Sequence, residues 1–424
     1  MPSTDTIVAL STPYGSGAIA VVRMSGPDAV AMAEQLCGKK LTRQVHFCSV
    51  PHLDDMVVTT FRAPHSFTGE DVVELSCHGS LFIQQEIQRR LIDLGARPAR
   101  AGEFTQRAFL NGKMDLMQAE AVADLIAAQT QAEQELALKQ LRGGVSGELA
   151  VLREHLLRLT SLLELELDFG DHEDLEFADR SELKQLAEQI EHKLTALTES
   201  FKTGNAIKNG IPVAIVGKTN AGKSTLLNAL VGEDRAIVSD IHGTTRDTIE
   251  ETLIIEGVLF RLIDTAGLRE TNDVIEKQGI ERSRKAIEQA QIILEVIDAT
   301  CPEETMQGEK VVHVYNKADL HRVPGQLCVS AKQGDISALK QYLVEAAGKL
   351  QTEGNIISSV RHYEALCRAL EAIRKVQDGM QNGLSGEWLS EDLQECLNAL
   401  GEITGQITSQ EVLNNIFSKF CIGK

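Results

Sequence analysis

The stretch "IPVAIVGKTNAGKST", residues 211–225, decides how the chain is read. Its six leading apolar residues suit a buried strand. Gly217, Gly222, Lys223 and Ser224 then fit the phosphate-loop spacing G-x-x-x-x-G-K-[ST], and "TLLNALVG" carries on as a helix. A chance match on a glycine-rich helix start would lack that flanking order. In this context the glycines let backbone N–H groups surround phosphate oxygens from Asn220 and Ala221 to Thr225. Lys223 reaches the outer phosphates and Ser224 offers its hydroxyl to Mg²⁺.

Four further elements follow in the order of a guanine-nucleotide switch. "HGTTRD" supplies Thr244 and Thr245 in a polar segment, and the alternating "LFRLID" runs into "DTAG". Asp264 thereby stands at a strand end near the metal, followed by Thr265 and Ala266, and the N–H of Gly267 can meet a γ-phosphate. "QIILEVID" reads as another buried strand. "VVHVYNKAD" brings Asn316, Lys317, Ala318 and Asp319 to the end of the next, and "LCVSAK" ends on Ser330, Ala331 and Lys332. The Asp319 carboxylate can accept from guanine N1–H and the exocyclic amine, which adenine does not present, so guanine is preferred. Five elements in order are far more specific than an isolated NKxD. Leu268 follows "DTAG", where Ras-type proteins carry a glutamine that orients the attacking water. Either hydrolysis is slow without outside help, or other groups such as Glu276 and an extra cation do that work.

Composition narrows the field. A chain of 424 residues with 43% hydrophobic content divides into several packed domains. No segment approaches the ~18 uninterrupted apolar residues of a membrane helix, and "MPSTDTIVAL" lacks a basic signal-peptide start, so a cytoplasmic location without membrane association is expected. The eight cysteines, at 37, 48, 77, 301, 328, 367, 396 and 421, form no CxxC pair, which argues against a zinc site or a disulfide framework. A net charge of −19 means that nucleic acid would need a local basic patch or a basic partner.

Around the phosphate loop, helical periodicity runs from about Met114 through "AEAVADLIAAQTQAEQELALKQL", pauses at Gly143-Gly144, and resumes in "ELAVLREHLLRLTSLLELELDF". The acidic "GDHEDLEFADR" around Asp171 reads as a solvated turn, because its acids lack binding-loop spacing. "SELKQLAEQIEHKLTALTESF" and the linker "KTGNAIKNG" lead into the nucleotide domain. Helical periodicity returns in "RHYEALCRALEAIRKVQDGM" and "EWLSEDLQECLNALGEITG". A nucleotide domain flanked by helices on both sides is most simply an insertion into a helical domain. Residues 1–113 differ, with short apolar runs and glycine turns, and form a separate mixed domain. The adjacent Cys77 and His78 would point to opposite faces of a strand, so packing or a turn role is favoured over a metal pair.

Three unrelated motifs together resemble one family. They are "SFTGEDVVEL" with "RAGEFTQRAFLNGK", where Ala101 stands in place of a proline, then the nucleotide motifs with "GTTRD", and the terminal "FCIGK". Over essentially the whole chain the sequence is similar to the tRNA-modification GTPases of the MnmE (TrmE) family. The resemblance implies a multidomain α/β fold: an N-terminal α+β folate-binding-like and dimerisation domain (1–113), a helical domain in two parts (114–209 and 351–424, the second ending in CIGK), and a Ras-like P-loop G domain inserted between them (210–350). It implies a homodimer that joins an FAD-carrying MnmG-type flavoprotein in a heterotetramer. Their substrate would be the wobble uridine of certain tRNAs, and the carbon source a tetrahydrofolate derivative (5-formyl- or 5,10-methylene-).

Carried over by position, the folate contacts fall on Arg23, Glu74, Lys113 and Lys424. A carboxylate suits a pterin edge and cations suit a glutamate tail; without the resemblance, a surface ion pair and a frayed terminus are the plainer readings. The family's K⁺ site falls on Asn220, Ser239, Ile241 and Thr244, in a GTP-contacting loop that also holds Asp240, His242, Gly243 and Thr245. Thr245 is implied as a Mg²⁺ ligand beside Ser224. Glu276 is implied to orient water, with Lys223 and Thr245 as the other catalytic residues, and K⁺ to play the part of an arginine finger. Thr219 departs from the family's usual proline. Cys421 is a possible modification-site residue, with lining or packing placed ahead of covalent catalysis. A GTP-dependent ribosome-assembly factor is the competing reading, yet such a factor should carry an RNA-binding appendage, and this C-terminus is acidic helices. A folate-binding protein with a vestigial G domain is disfavoured because no G motif is broken.

Overall fold

The computed structural model describes residues 5–169, 180–234, 251–263, 287–348, 354–382, 384 and 386–423. The acidic segment around Asp171 lies outside them. The chain forms two compact units: Met1–Ile126 with Gln140–Arg153 and Leu397–Lys424, and Ala127–Lys139 with Glu154–Cys396.

The first unit is built on a six-stranded sheet of β1 (Ile7–Leu10), β2 (Ile19–Ser25), β3 (Val45–Val50), β4 (Asp54–Phe61), β5 (Val72–His78) and β6 (Arg97–Pro98), in the order β3-β4-β5-β2-β1-β6. All neighbours are antiparallel except β1 and β6. Strand β4 shows the expected alternation, with Met56, Val58 and Thr60 turned inward. Helices Ala29–Cys37 and Leu81–Asp93 give Met32, Ile87 and Leu91 to the same core as Val22, Met24 and Leu75. Far along the chain, helix Gln410–Ser418 opens on a Ser409 cap and buries Leu413 and Phe417 against Leu116 and Ala119. The last residues of the chain thereby return to the unit that the first residues build.

Periodicity alone predicts continuous helix across residues 119–141, but the structure breaks it into Leu116–Ala127 and Gln131–Leu141. The cause is a capping box: the Glu133 N–H donates to Thr130 Oγ1 (3.2 Å), while the Glu133 carboxylate receives the Thr130 hydroxyl (3.1 Å) and Gln129 N–H (2.8 Å).

The second unit holds β7 (Ile211–Val216), β8 (Glu251–Ile255), β9 (Val258–Ile263), β10 (Ile292–Asp298), β11 (Val311–Asn316) and β12 (Leu327–Cys328), in the order β12-β11-β10-β7-β9-β8. Every pair is parallel except the β8–β9 hairpin, whose two turn residues Glu256 and Gly257 both have positive φ (47° and 81°). Central strands β7 and β10 are apolar runs because both faces are covered, by Leu226 and Leu230 among others. The exception inside β10 is Glu295, 1% exposed. Residues 299–310 join β10 to β11 without a helix, and Glu295 secures that connection by accepting from Thr305 N (2.8 Å), the Thr305 hydroxyl and Met306 N (3.3 Å), beside His313 (3.2 Å).

The helices on either side of the nucleotide domain pack on each other. Arg180–Asn209 meets Val360–Gln381 through a Phe201–Tyr363 stack (4.3 Å between centroids) and an Arg374–Glu191 ion pair (2.8 Å). Gly204 allows that approach, since a Cβ there would lie 2.1 Å from Ile357 O. This Ras-like P-loop domain is therefore an insertion between two partnered helices, within a multidomain α/β fold.

Candidate functional site

At the C-terminal edge of the parallel sheet, β7 ends in the phosphate loop. Gly217 (φ 138°) is required because a Cβ would sit 2.3 Å from Val296 O, and Gly222 (φ 96°) because one would sit 2.2 Å from Asn316 Nδ2. Between them Asn220 takes a left-handed conformation (φ 67°), and the helix Lys223–Asp234 begins at Lys223. The Lys223 ammonium donates to Gly217 O and Lys218 O (2.8 Å each), and burial lowers its pKa. A cation held this way inside the loop is matched to incoming phosphate charge. Ser224 lies in the first helical turn, half-buried.

Asn316 ties the nucleotide loops together. Buried at 3% exposure, it donates to Ala221 O (2.9 Å) and accepts from Ala331 N (3.1 Å). Asp319 accepts from Ser330 Oγ (2.7 Å), which fixes its carboxylate, and Ala318 N donates to Val329 O (3.0 Å). Lys317, at φ 67°, reaches Asp298 (2.5 Å), and this bond together with those of Thr300 holds the Asp298 carboxyl down to about 2. Lys332 is exposed, as is Thr225. Ser239, Asp240, Ile241, His242, Gly243, Thr244, Thr245, Asp264, Thr265, Ala266, Gly267, Leu268 and Glu276 lie outside the described residues.

In the first unit a second constellation forms. Arg23 and Glu74 are direct partners in the β2–β5 register and make an ion pair, Nε and Nη2 lying 2.9 and 2.7 Å from the same Oε1. The plain ion-pair reading of these two residues thus holds as geometry. Arg23 also reaches Gly423 O (3.4 Å), which accepts from Ser11 Oγ (3.1 Å), and its guanidinium carbon lies 5.8 Å from the Phe67 and Phe104 ring centres. The terminal segment is held by Gly102 N donating to Cys421 O (3.3 Å) and an Ala101–Ile422 bridge. Gly423 (φ 94°) has to be glycine, since a Cβ would lie 2.2 Å from Leu10 O. Cys421 is exposed. Lys113 donates instead to Pro64 O (3.0 Å), and Lys424 lies outside the described residues. Cys77 is buried while His78 is exposed and bonded to Asp54 (2.6 Å), in keeping with opposite faces; no group of three metal-binding side chains occurs among the described residues.

Two sequence families match this chain: the GTP-binding protein TrmE N-terminus over residues 6–113, and the MnmE helical domain over residues 116–421. A tRNA modification GTPase MnmE of Parabacteroides distasonis is 51% identical, with 99% of this chain and 100% of that protein aligned. The chain belongs to the MnmE family. Proteins of the same name from Phocaeicola vulgatus and Flavobacterium johnsoniae are each 47% identical, aligned over 100% of both chains. This MnmE-family chain is accordingly a GTP-binding GTPase of tRNA modification, with tRNA as its substrate. No helix among the described residues is long and apolar enough to cross a membrane.

Sequence reasoning missed Phe67, Phe104, Ser11 and Asp298. Phe67 and Phe104 stand inside the motifs "SFTGEDVVEL" and "RAGEFTQRAFLNGK", so the signal is present in the sequence though its geometry is not. Nothing in the local sequence marks Ser11 or Asp298.

Proposed function

We propose that this GTPase acts as a homodimer with an FAD-bearing MnmG-type flavoprotein, in a cytoplasmic heterotetramer. Together they install an aminomethyl-type group at C5 of the wobble uridine of certain tRNAs. Division at residues 113, 209 and 350 gives the folate-binding-like, helical and G portions their separate tasks. The observation that carries this reading is the docking of the chain's last residues onto β1 and β2 beside Arg23 and Glu74. A frayed tail would have no reason to bring a glycine carbonyl onto a half-buried arginine.

The residues there fit a flat, hydrogen-bonding ligand. Glu74 spends Oε1 on Arg23, leaving Oε2 without a partner among the described residues, and Phe67 and Phe104 offer ring faces. Glu74 would hold the pterin edge, and Arg23, Lys113 and Lys424 the anionic tail, of a tetrahydrofolate; bound there, the 5,10-methylene form supplies the one-carbon unit and the 5-formyl form serves as its stable stand-in. Cys421 lines the same segment.

In the G domain, Lys223 gives up Gly217 O and Lys218 O to neutralise β- and γ-phosphate charge, and Ser224 with Thr245 hold Mg²⁺. Asp319, pre-oriented by Ser330, selects guanine. Asn220, with Ser239, Ile241 and Thr244, holds a K⁺ that offsets phosphoryl charge, and Glu276 orients water in place of the glutamine absent at Leu268. The test is GTP hydrolysis in matched KCl and NaCl. Strong K⁺ stimulation that Asn220→Ala removes is expected; equal rates in the two salts sink the cation assignment.

A further inference from the structure

The motif "RAGEFTQRAFLNGK" contains an arginine that none of these roles employs. Arg107, 4% exposed on helix Glu103–Leu110, donates from Nη1 to Asp5 O and Glu70 Oε2 (3.0 Å each), and from Nη2 to Asp5 Oδ1 (2.8 Å) and Glu103 Oε1 (3.3 Å). Its Nε is buried with no partner among the described residues. Glu70 Oε2 also accepts from Ser25 Oγ (2.7 Å), which lies 2.7 Å from Thr68 Oγ1, and both hydroxyl residues are fully buried. From the other side Asn111 Nδ2 donates to Thr68 O (2.8 Å), and Ser66 Oγ donates to Glu70 O (2.5 Å). Residues 66–70 are thus clamped by side chains of the segment 103–113, which is the physical link between the two motifs.

This network stabilises the fold at neutral pH, yet an apolar cluster of the same volume often does as much; a multiply bonded guanidinium also holds its partners to a defined geometry. Between the bonded residues Ser66 and Thr68 stands Phe67, whose ring lies 5.8 Å from the Arg23 guanidinium.

We infer that Arg107 is a positioning residue for the one-carbon site: through Glu70 it holds residues 66–70, and hence Phe67, in place beside Arg23. The inference rests on the folate reading above. It makes the interlocked motifs one device, with the ligand contacts on Arg23 and Glu74 and the bracing on Arg107 and Glu70.

The experiment titrates the full-length protein with 5-formyltetrahydrofolate, alongside GTP hydrolysis and amide exchange over residues 66–70. Glu70→Ala cuts the link yet leaves Arg107 paired with Asp5 and Glu103. Glu70→Gln keeps an acceptor for Ser25 and Arg107. Arg107→Lys keeps charge without the fork. A rise of about tenfold or more in Kd for Glu70→Ala and Arg107→Lys is expected, because a loop no longer held in its bound geometry must be ordered on binding. Glu70→Gln should largely restore binding, exchange should quicken in Glu70→Ala, and GTP hydrolysis should be unchanged in all three. No binding by the unmutated protein overturns the folate reading itself. Binding by the unmutated protein with the same Kd and exchange in Glu70→Ala overturns the positioning role alone. Should Arg107→Lys fail to fold, the two Glu70 variants decide the matter.

Discussion

The two six-stranded sheets of this molecule build their candidate sites in opposite ways. In the parallel sheet the site is laid out by local backbone turns: strand ends deliver loops, with Asn220 and Lys317 in the left-handed region, that set the side chains of Lys223 and Asp319 at one edge, and Asn316 joins the loops. In the largely antiparallel sheet the site is made of side chains brought from distant parts of the sequence, Arg23 on β2, Glu74 on β5 and Gly423 at the chain's end. Beside them the charged groups of Asp5, Arg97, Glu103 and Arg107 fix one another. A backbone site tolerates change wherever side chains merely face solvent and fails at glycines. A side-chain site depends on every partner and on the charge state of each.

Variants can break that contrast. The largest effect should come from Asp319→Asn, which replaces a double acceptor by a group that opposes guanine's donors: GTP affinity should fall roughly 10³-fold while xanthosine triphosphate gains, as competition binding measures. Retained GTP preference would remove Asp319 from base recognition.

Next is acid sensitivity, which should belong to the side-chain site. Burial alone would raise the Glu103 carboxyl, but the bonds from Arg97 and Arg100 N outweigh it and hold the pKa at about 2, against 4.5 for the free group. The folded value is depressed, so this stabilisation is complete above pH ~4.5 and disappears as pH falls toward ~2, about 3 kcal/mol in all. Circular dichroism during acid titration should show Glu103→Gln less stable at neutral pH and less pH-dependent below ~4.5. An unchanged slope would remove Glu103 from the network.

Asn316→Ala should cost about 2 kcal/mol of GTP binding, roughly 30-fold, because Ala221 O and Ala331 N lose a buried partner. Thermal unfolding of the ligand-free protein and GTP titration together check this; an effect on stability without one on affinity would make Asn316 a packing residue. Smallest is Asp298→Asn. Its pair with Lys317 is partly exposed, so KM for GTP should rise only severalfold, with kcat kept.

The same contrast explains what the sequence discloses. The phosphate loop, "NKAD" and "SAK" are legible because each is a local run whose spacing itself is the geometry, and the strands "IPVAIV" and "QIILEVID" are legible as apolar runs. The break at Thr130 was legible as well, since T-x-x-E caps a helix, yet it is easily lost inside a longer apolar period. The Arg23–Glu74 pair, the approach of Gly423 to Leu10 and the clamp of Arg107 on Glu70 depend on register and close contact between distant segments, which no local pattern encodes. Glu295 is a lone acid in an apolar strand, and its role lies in contacts with the helix-free connection 299–310, which local sequence does not encode.

The claim that the G site drives chemistry organised by the other sheet is tested most directly on tRNA from cells. Cells lacking this protein would be complemented with the full chain or with a chain deleted for Cys421–Lys424, and tRNA nucleosides read by mass spectrometry while GTP hydrolysis is measured on the purified proteins. Wobble uridines should be modified by the full chain and unmodified with the truncated one, with near-equal K⁺-stimulated GTP hydrolysis by both. Normal modification by the truncated chain, or wobble uridines unaltered by loss of the whole protein, would contradict it.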